Sequence, residues 1–520
     1  MASRVGRPAS SWRRVAVGLT AVVVLAGCAS ASASTDTGTP AGRWDWPGYG
    51  HDAQHTFHGR TTLTPSSVAT LKTAWFFPTG DAVTATPTVV DGTVYAGSWD
   101  DRFYALNLET GAVRWTYRLS AQNAVTPYPG EQPRDTTSDG GLVTSSAWYE
   151  PGDGSRPDLV IFGAGYTLYA LEAATGALYW RHDYTGRPGR PADPDTDGTR
   201  IFSSPVVVGH DVLFATDTDG QQGERGYIAA ADLDTGDPVW EFDTDPGPSG
   251  RPQADGCGNV WSSGTVLPAL GLVVYGTADC NFENTQSLTE SVLALHIATG
   301  TLAWVYRPDL PDLACDWDFG ATANAGVTSA GVATFLGEGN KNGSYYSLDP
   351  ATGKLRWTTN VVFGGFAGGF VASTAFDGQR VFGATALGDY GNFDNSAPIL
   401  CDPGNPRDQS LEEPTVHAFD AASGAVAWQQ GDAPSFAPTT VAGGMTFNGP
   451  ALRGDTVQVR SAAIGTLLAT VTLPGPVWSG VATVGDALVV GLGSSYSAHP
   501  SGIAVVTPGG RPPVVPGQPA

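Results

Sequence analysis

A motif of the form A-x-D-x-x-T-G-x-x-x-W recurs six times along the chain, and no other feature narrows the possible folds so far. It runs over Ala105 to Trp115 (ALNLETGAVRW), Ala170 to Trp180 (ALEAATGALYW), Ala230 to Trp240 (AADLDTGDPVW), Ala294 to Trp304 (ALHIATGTLAW), Ser347 to Trp357 (SLDPATGKLRW) and Ala418 to Trp428 (AFDAASGAVAW). Strand-like runs such as Thr93-Val94-Tyr95-Ala96 or Val332-Ala333-Thr334-Phe335 precede the copies. An apolar strand ends in Ala-x-Asp, the Thr-Gly pair turns the chain through the positive φ that glycine allows, and a second strand ends in Trp. Each copy is therefore a β-hairpin with an aromatic anchor. A fixed repeat of this length means units that bury their faces against one another.

Two weaker copies bring the count to eight. Leu71-Lys72-Thr73-Ala74-Trp75 supplies an outer strand without its own upstream strands, and Ser461-Ala462-Ala463-Ile464-Gly465 is a decayed copy with Ala469 at the Trp position. The runs around Val477 to Thr483, Ala487 to Gly491 and Ile503 to Val506 are expected to complete the first of these and close a ring, leaving no open sheet edge. The predicted fold is an all-β, eight-bladed β-propeller of four-stranded antiparallel blades with Trp-docking motifs. The 68 Gly and 38 Pro, with 15% charged residues, fit short strands and tight turns. Unequal spacing of the anchors puts insertions at 120–157, 242–258, 276–290 and 388–414, where function is expected.

The net charge of -23 argues against a nucleic-acid partner, which needs clustered Lys and Arg. Arg4, Arg7, Arg13 and Arg14 precede an apolar run from Val15 to Ala26 that is too short to span a bilayer. Leu25-Ala26-Gly27-Cys28 follows and looks like the lipobox of bacterial lipoproteins, which implies acylation at Cys28. Residues 1–28 are thus expected to be a lipoprotein signal peptide, 29–42 a flexible tether, 43–506 the propeller and 507–520 a disordered Pro/Gly-rich tail. The mature protein is expected on the extracytoplasmic face of the membrane, held through its lipid only. Setting Cys28 aside leaves Cys257, Cys280, Cys315 and Cys401, an even count that predicts two disulfides. Three pairings are open, with Cys257–Cys280 and Cys315–Cys401 preferred. No C-x-x-C-H run is present to attach a c-type haem, so gathered electrons would leave through another molecule.

The docking repeats, the opening Trp46-Pro47-Gly48-Tyr49-Gly50 and the run Trp75-Phe76-Phe77-Pro78-Thr79-Gly80-Asp81 resemble dehydrogenases that use pyrroloquinoline quinone (PQQ). CGNVWSS at 257–263, VVYGTADC at 273–280, CDWDFGAT at 315–322 and GEGNKNGSYYSLD at 337–349 are most similar to polyvinyl alcohol dehydrogenases. That resemblance implies an aromatic floor for the quinone, a calcium ion, a carboxylate base and a cation. By the same resemblance Asp318 would be the base, Trp261 the floor, Lys341 the cation, and Asp279 and Gln222 metal ligands, with Glu224 as the alternative to Gln222. Thr84 and Gly140 stand where the family carries a quinone-contacting Glu and Arg, and the adjacent-cysteine disulfide of many members is missing. Gly320 replaces the Asp of lanthanide-using relatives, which makes calcium the implied metal. The implied function is PQQ- and calcium-dependent oxidation of secondary or polymeric alcohols, with a c-type cytochrome or a quinone as electron acceptor. Two alternatives come from other classes: a cofactor-free lipoprotein propeller that scaffolds assembly, and a polymer- or sugar-binding propeller that uses aromatic loops such as Ala147-Trp148-Tyr149.

Overall fold

A computed structural model describes residues 44–119, 143–185, 199–218, 224–245, 257–278, 288–309, 317–362, 364–365, 368–386, 414–431, 434–450, 454–494 and 500–517. The strands form eight four-stranded antiparallel sheets, the predicted propeller. Blades 1 to 7 are consecutive in sequence and cover 88–118, 148–183, 206–243, 265–306, 324–360, 375–431 and 440–472. Blade 8 joins Val481–Val484, Ala487–Leu492 and Gly502–Pro508 to Leu71–Pro78 from the other end of the chain. The two chain ends pair antiparallel from Leu71 opposite Pro508 to Pro78 opposite Gly502, which is the ring closure expected from the sequence.

The Trp repeat works through a bulge and a neighbour. In every blade one residue is extra just before the anchor position, as where the register slips between Ala105 and Leu106, or between Thr73 and Trp75. A bulge sharpens local twist and re-aims the side chain beside it. Trp75, Trp115, Trp180, Trp240, Trp304, Trp357 and Trp428 each donate their indole N–H, at 2.7–3.2 Å, to a carbonyl in the hairpin turn of the next blade. Each ring also lies on that turn's glycine. A Cβ on Gly236, for example, would fall 2.5 Å from Trp180, and Gly236 has φ +74°, so the Thr-Gly of the motif meets two demands at once.

First strands of most neighbouring blades touch one another and so line the axis. Two residues before these strands lies a second repeat, a hydroxyl that accepts a backbone N–H from the blade before it. Ser146 N–H donates to Ser204 Oγ, Ser204 N–H to Ser263 Oγ, Ser263 N–H to Thr322 Oγ1 and Thr322 N–H to Ser373 Oγ, all at 2.9–3.0 Å. Gly480 N–H does the same to Thr86 Oγ1. Residues 46–62 wind around the axis and, among the described residues, share backbone hydrogen bonds with every blade except blade 3. Passing from blade to blade bends this leading segment sharply, and His51, His55 and Phe57 take positive φ there.

Two expectations need correction. Residues 509–517 are not a disordered tail in the structure: Val514 N–H donates to Asp486 Oδ1 at 2.7 Å, Asp486 N–H returns a bond to the Val514 carbonyl, and Val515 packs on a core cluster. The composition is Pro- and Gly-rich, but a surface able to receive those backbone groups overrides it. Ala147-Trp148-Tyr149 is not an exposed aromatic loop either, because Trp148 and Tyr149 begin the first strand of blade 2 and are buried.

Candidate functional site

Asp318 stands six residues before the first strand of blade 5, in the Trp317-Asp318-Phe319 turn, and the turn's backbone is held from several sides. Asn340 Nδ2 donates to the Trp317 carbonyl at 2.7 Å, and the Trp317 N–H reaches Glu290 Oε1 at 3.4 Å. Lys341 N–H donates to the Asp318 carbonyl at 3.0 Å, and Phe319 N–H to the Thr277 carbonyl at 3.1 Å. Blades 4 and 5 together therefore aim the Asp318 side chain.

That side chain meets the other two expected residues. Lys341 Nζ lies 3.0 Å from Asp318 Oδ2, and Trp261 Nε1 donates to the same oxygen at 3.3 Å. Lys341 Nζ also stands 5.8 Å from the centre of the Trp261 ring, within cation–π range. Asp318 and Lys341 are 4% and 8% exposed, so the pair is largely withdrawn from water. Lys341 is fixed by its turn, where Asn340 N–H bonds the Ser344 carbonyl and Gly365 N–H bonds the Lys341 carbonyl at 2.9 Å.

Trp261 belongs to a ring of eight equivalent positions, one per blade, two residues before the hydroxyl repeat: Thr84, Thr144, Phe202, Trp261, Gly320, Val371, Phe436 and Trp478. Seven are part-exposed between buried neighbours, and Gly320 is the exception. A Cβ at Gly320 would fall 1.8 Å from Cη2 and Cζ2 of Trp261, so the indole lies across the place a side chain would take. Any larger residue at 320 displaces the indole. The flat, part-exposed ring, with a cation in cation–π range and a carboxylate at its N–H, fits a planar anionic aromatic group such as PQQ.

The remaining expected ligands are not brought together by the described residues. Asp279, Gln222 and Cys28 lie outside them, as do Gly140, Cys280, Cys315 and Cys401. Cys257 is buried and disulfide-bonded, and its partner lies outside the described residues too. Glu224 is buried and accepts from Thr199 Oγ1 at 3.2 Å. Among the described residues no three His, Cys, Asp or Glu side chains converge as a metal cluster would require.

Three residues of the site escaped the sequence reading: Glu290, Asn340 and Glu338. Glu290 has φ +50°, is 2% exposed, and pairs with Arg307 at 3.2 Å. Burial raises its pKa, against the lowering effect of Arg307. Asn340 and Glu338 lay in the stretch 337–349 and Glu290 at the end of the insertion 276–290, yet no local pattern marks any of the three as part of a site.

A family model described as "Glucose/ethanol/alcohol dehydrogenase, beta-propeller domain" matches residues 46–362, and one described as "Outer membrane protein assembly factor BamB" matches 341–511. The chain is 26% identical over 347 residues to the quinohemoprotein alcohol dehydrogenase ADH IIB of Pseudomonas putida, covering 60% of this chain and 46% of that one. It is 24% identical over 367 residues to a polyvinylalcohol dehydrogenase of a Pseudomonas species, covering 65% and 54%. The solved quinohemoprotein alcohol dehydrogenase of Comamonas testosteroni superposes with a TM-score of 0.69 at 20% identity, over 91% of this chain and 82% of that one. The chain thus spans about half the length of the curated relatives it matches. With the ring, the indole platform and the Asp318–Lys341 pair beside it, these matches make the chain a member of the PQQ-dependent alcohol dehydrogenase β-propeller family.

Proposed function

We propose that this protein is a PQQ-dependent dehydrogenase of secondary or polymeric alcohols. The single observation that carries the reading is the convergence of Asp318, Lys341 and Trp261 within hydrogen-bonding and cation–π distance, from three separate stretches of sequence. Asp318 takes the hydroxyl proton of the alcohol at its carboxylate as the hydrogen on carbon leaves with its electron pair. PQQ, when bound, supplies the acceptor for that hydride, and an external acceptor such as a c-type cytochrome or a quinone then takes the electrons. Trp261 offers the face for stacking. Lys341 offsets the negative charge of the cofactor and holds Asp318 in place. Calcium, with Asp279 and Gln222 as the ligands implied by family resemblance, belongs to the same proposal, and no step is routed through it. The Cys28 lipobox supports anchoring on the outer face of the membrane, a proposal that lipid labelling of the expressed protein, lost in Cys28→Ser, would test.

The deciding experiment adds PQQ, with and without calcium, to the purified protein and follows quinone absorbance, quenching of tryptophan fluorescence and dye reduction by several alcohols. Asp318→Asn is expected to lose turnover by at least about 100-fold, the low end of what a positioned base contributes, while still binding the quinone. An Asp318→Asn enzyme of full activity would remove Asp318 from the chemistry. Absence of quinone binding by the wild-type protein would favour the scaffold alternative, which the BamB-type match over 341–511 supports.

A further inference from the structure

Beneath the Trp317-Asp318-Phe319 turn lies a carboxyl group that the proposed chemistry does not use. Glu338 sits in the second strand of blade 5, Ala333–Gly339, and is 1% exposed. Side chains alternate along a strand, so Leu336, Glu338 and Asn340 face the same side. Leu336 packs with Phe319 and Val274, and Asn340 holds the Trp317 carbonyl, so Glu338 lies between them against blade 4. A Cβ on Gly276 of blade 4 would fall 2.0 Å from Glu338 Oε1 and 2.2 Å from the Phe319 carbonyl oxygen. Glycine at 276 leaves a space that the Glu338 carboxyl and the Phe319 carbonyl both border.

Neither oxygen of Glu338 receives an N–H or O–H in the structure. A dry carboxylate facing a carbonyl would set acceptor against acceptor, with nothing to offset the lost hydration. Burial accordingly pushes the Glu338 pKa well up. One proton between the two oxygens resolves the conflict.

We propose that Glu338 is a neutral carboxylic acid whose O–H donates to the Phe319 carbonyl, making it a positioning residue for the turn that carries Asp318. The turn is then gripped at both ends, by Glu290 and Asn340 on Trp317 and by Thr277 and Glu338 on Phe319. The kinetic half of this proposal rests on the dehydrogenase reading; the structural half does not.

Infrared spectroscopy of the full-length protein at pH 7 is expected to show a protonated-carboxyl C=O stretch that is missing from Glu338→Gln. In the PQQ-loaded enzyme, Glu338→Gln keeps a donor of the same shape and is expected to hold kcat within about threefold. Glu338→Met fills the space without a donor and is expected to lose about tenfold in kcat with KM unchanged, the rate equivalent of one hydrogen bond. Both variants should keep a cooperative melt. Absence of the band, or equal losses of kcat in the two variants, overturns the proposal. Should the wild-type protein not turn over with PQQ, the dehydrogenase reading fails by itself and the infrared band decides the state of Glu338.

Discussion

Seven seams between blades are pinned by an indole, and the eighth is not. Between blades 1 and 2, or 3 and 4, a Trp N–H bonds a carbonyl across the gap and its ring covers a glycine turn. Between blades 7 and 8 the anchor position holds Ala469, and the facing edge has no hairpin turn, because that is where the outer strand comes from the other end of the chain. Leu63, Val68 and Leu71 fill the gap instead, packing with Leu468, Ala469, Val471 and Leu473. The difference shows two ways to close one ring. A local repeat can pin a seam only where both neighbours carry it; the closing seam needs apolar mass brought from outside the repeat.

The largest test removes that mass. A protein beginning after Pro78 lacks the leading segment, the residues at the eighth seam and the outer strand of blade 8. It is expected to lose its cooperative unfolding transition in circular dichroism, whereas a propeller held mainly by its indoles would keep one. Trp180→Ala attacks a pinned seam and is expected to cost about 3–5 kcal/mol by denaturant unfolding, through the cavity and the stranded Leu233 carbonyl.

Acid separates the leading segment from an indole-pinned blade. Burial lowers His55 to about 4 and His417, which sits between Thr385 and Gln429, to about 3, both from an ordinary value of 6.5. The unfolded chain takes up these protons first. The stability tied to neutral imidazole is thus complete above about pH 6.5 and drains as pH falls towards 4 for His55 and 3 for His417. His417→Gln is expected to flatten the lower part of the acid-unfolding curve, and a curve unchanged in shape would argue against a neutral buried imidazole.

Ala469→Trp asks whether an indole alone makes a pinned seam. With no glycine turn to receive the ring, it is expected to destabilise by about 1–3 kcal/mol through overpacking, and a gain in stability would erase the distinction between the seams. Trp180→Phe is the mildest change, costing about 1 kcal/mol for the lost N–H bond.

The sequence by itself determined the blade count, the hairpin anchors and the borrowing of Leu71–Pro78 to finish blade 8, because each is written in a repeat whose units differ little. A second repeat was equally present in Thr84-Ala85-Thr86-Pro87, Phe202-Ser203-Ser204-Pro205 and Trp261-Ser262-Ser263-Gly264, yet its meaning depends on which strands face the axis. Asp318, Trp261 and Lys341 were legible only through family likeness. That they share one carboxylate oxygen was decided in three dimensions. Glu290 and Glu338 lay in stretches the sequence had marked, but their roles did not show, since a buried carboxyl is distinguished by the absence of water and by neighbours far away in sequence. Local propensity and spacing write the strands and turns; desolvation and contact across a blade seam exist only once the ring has closed.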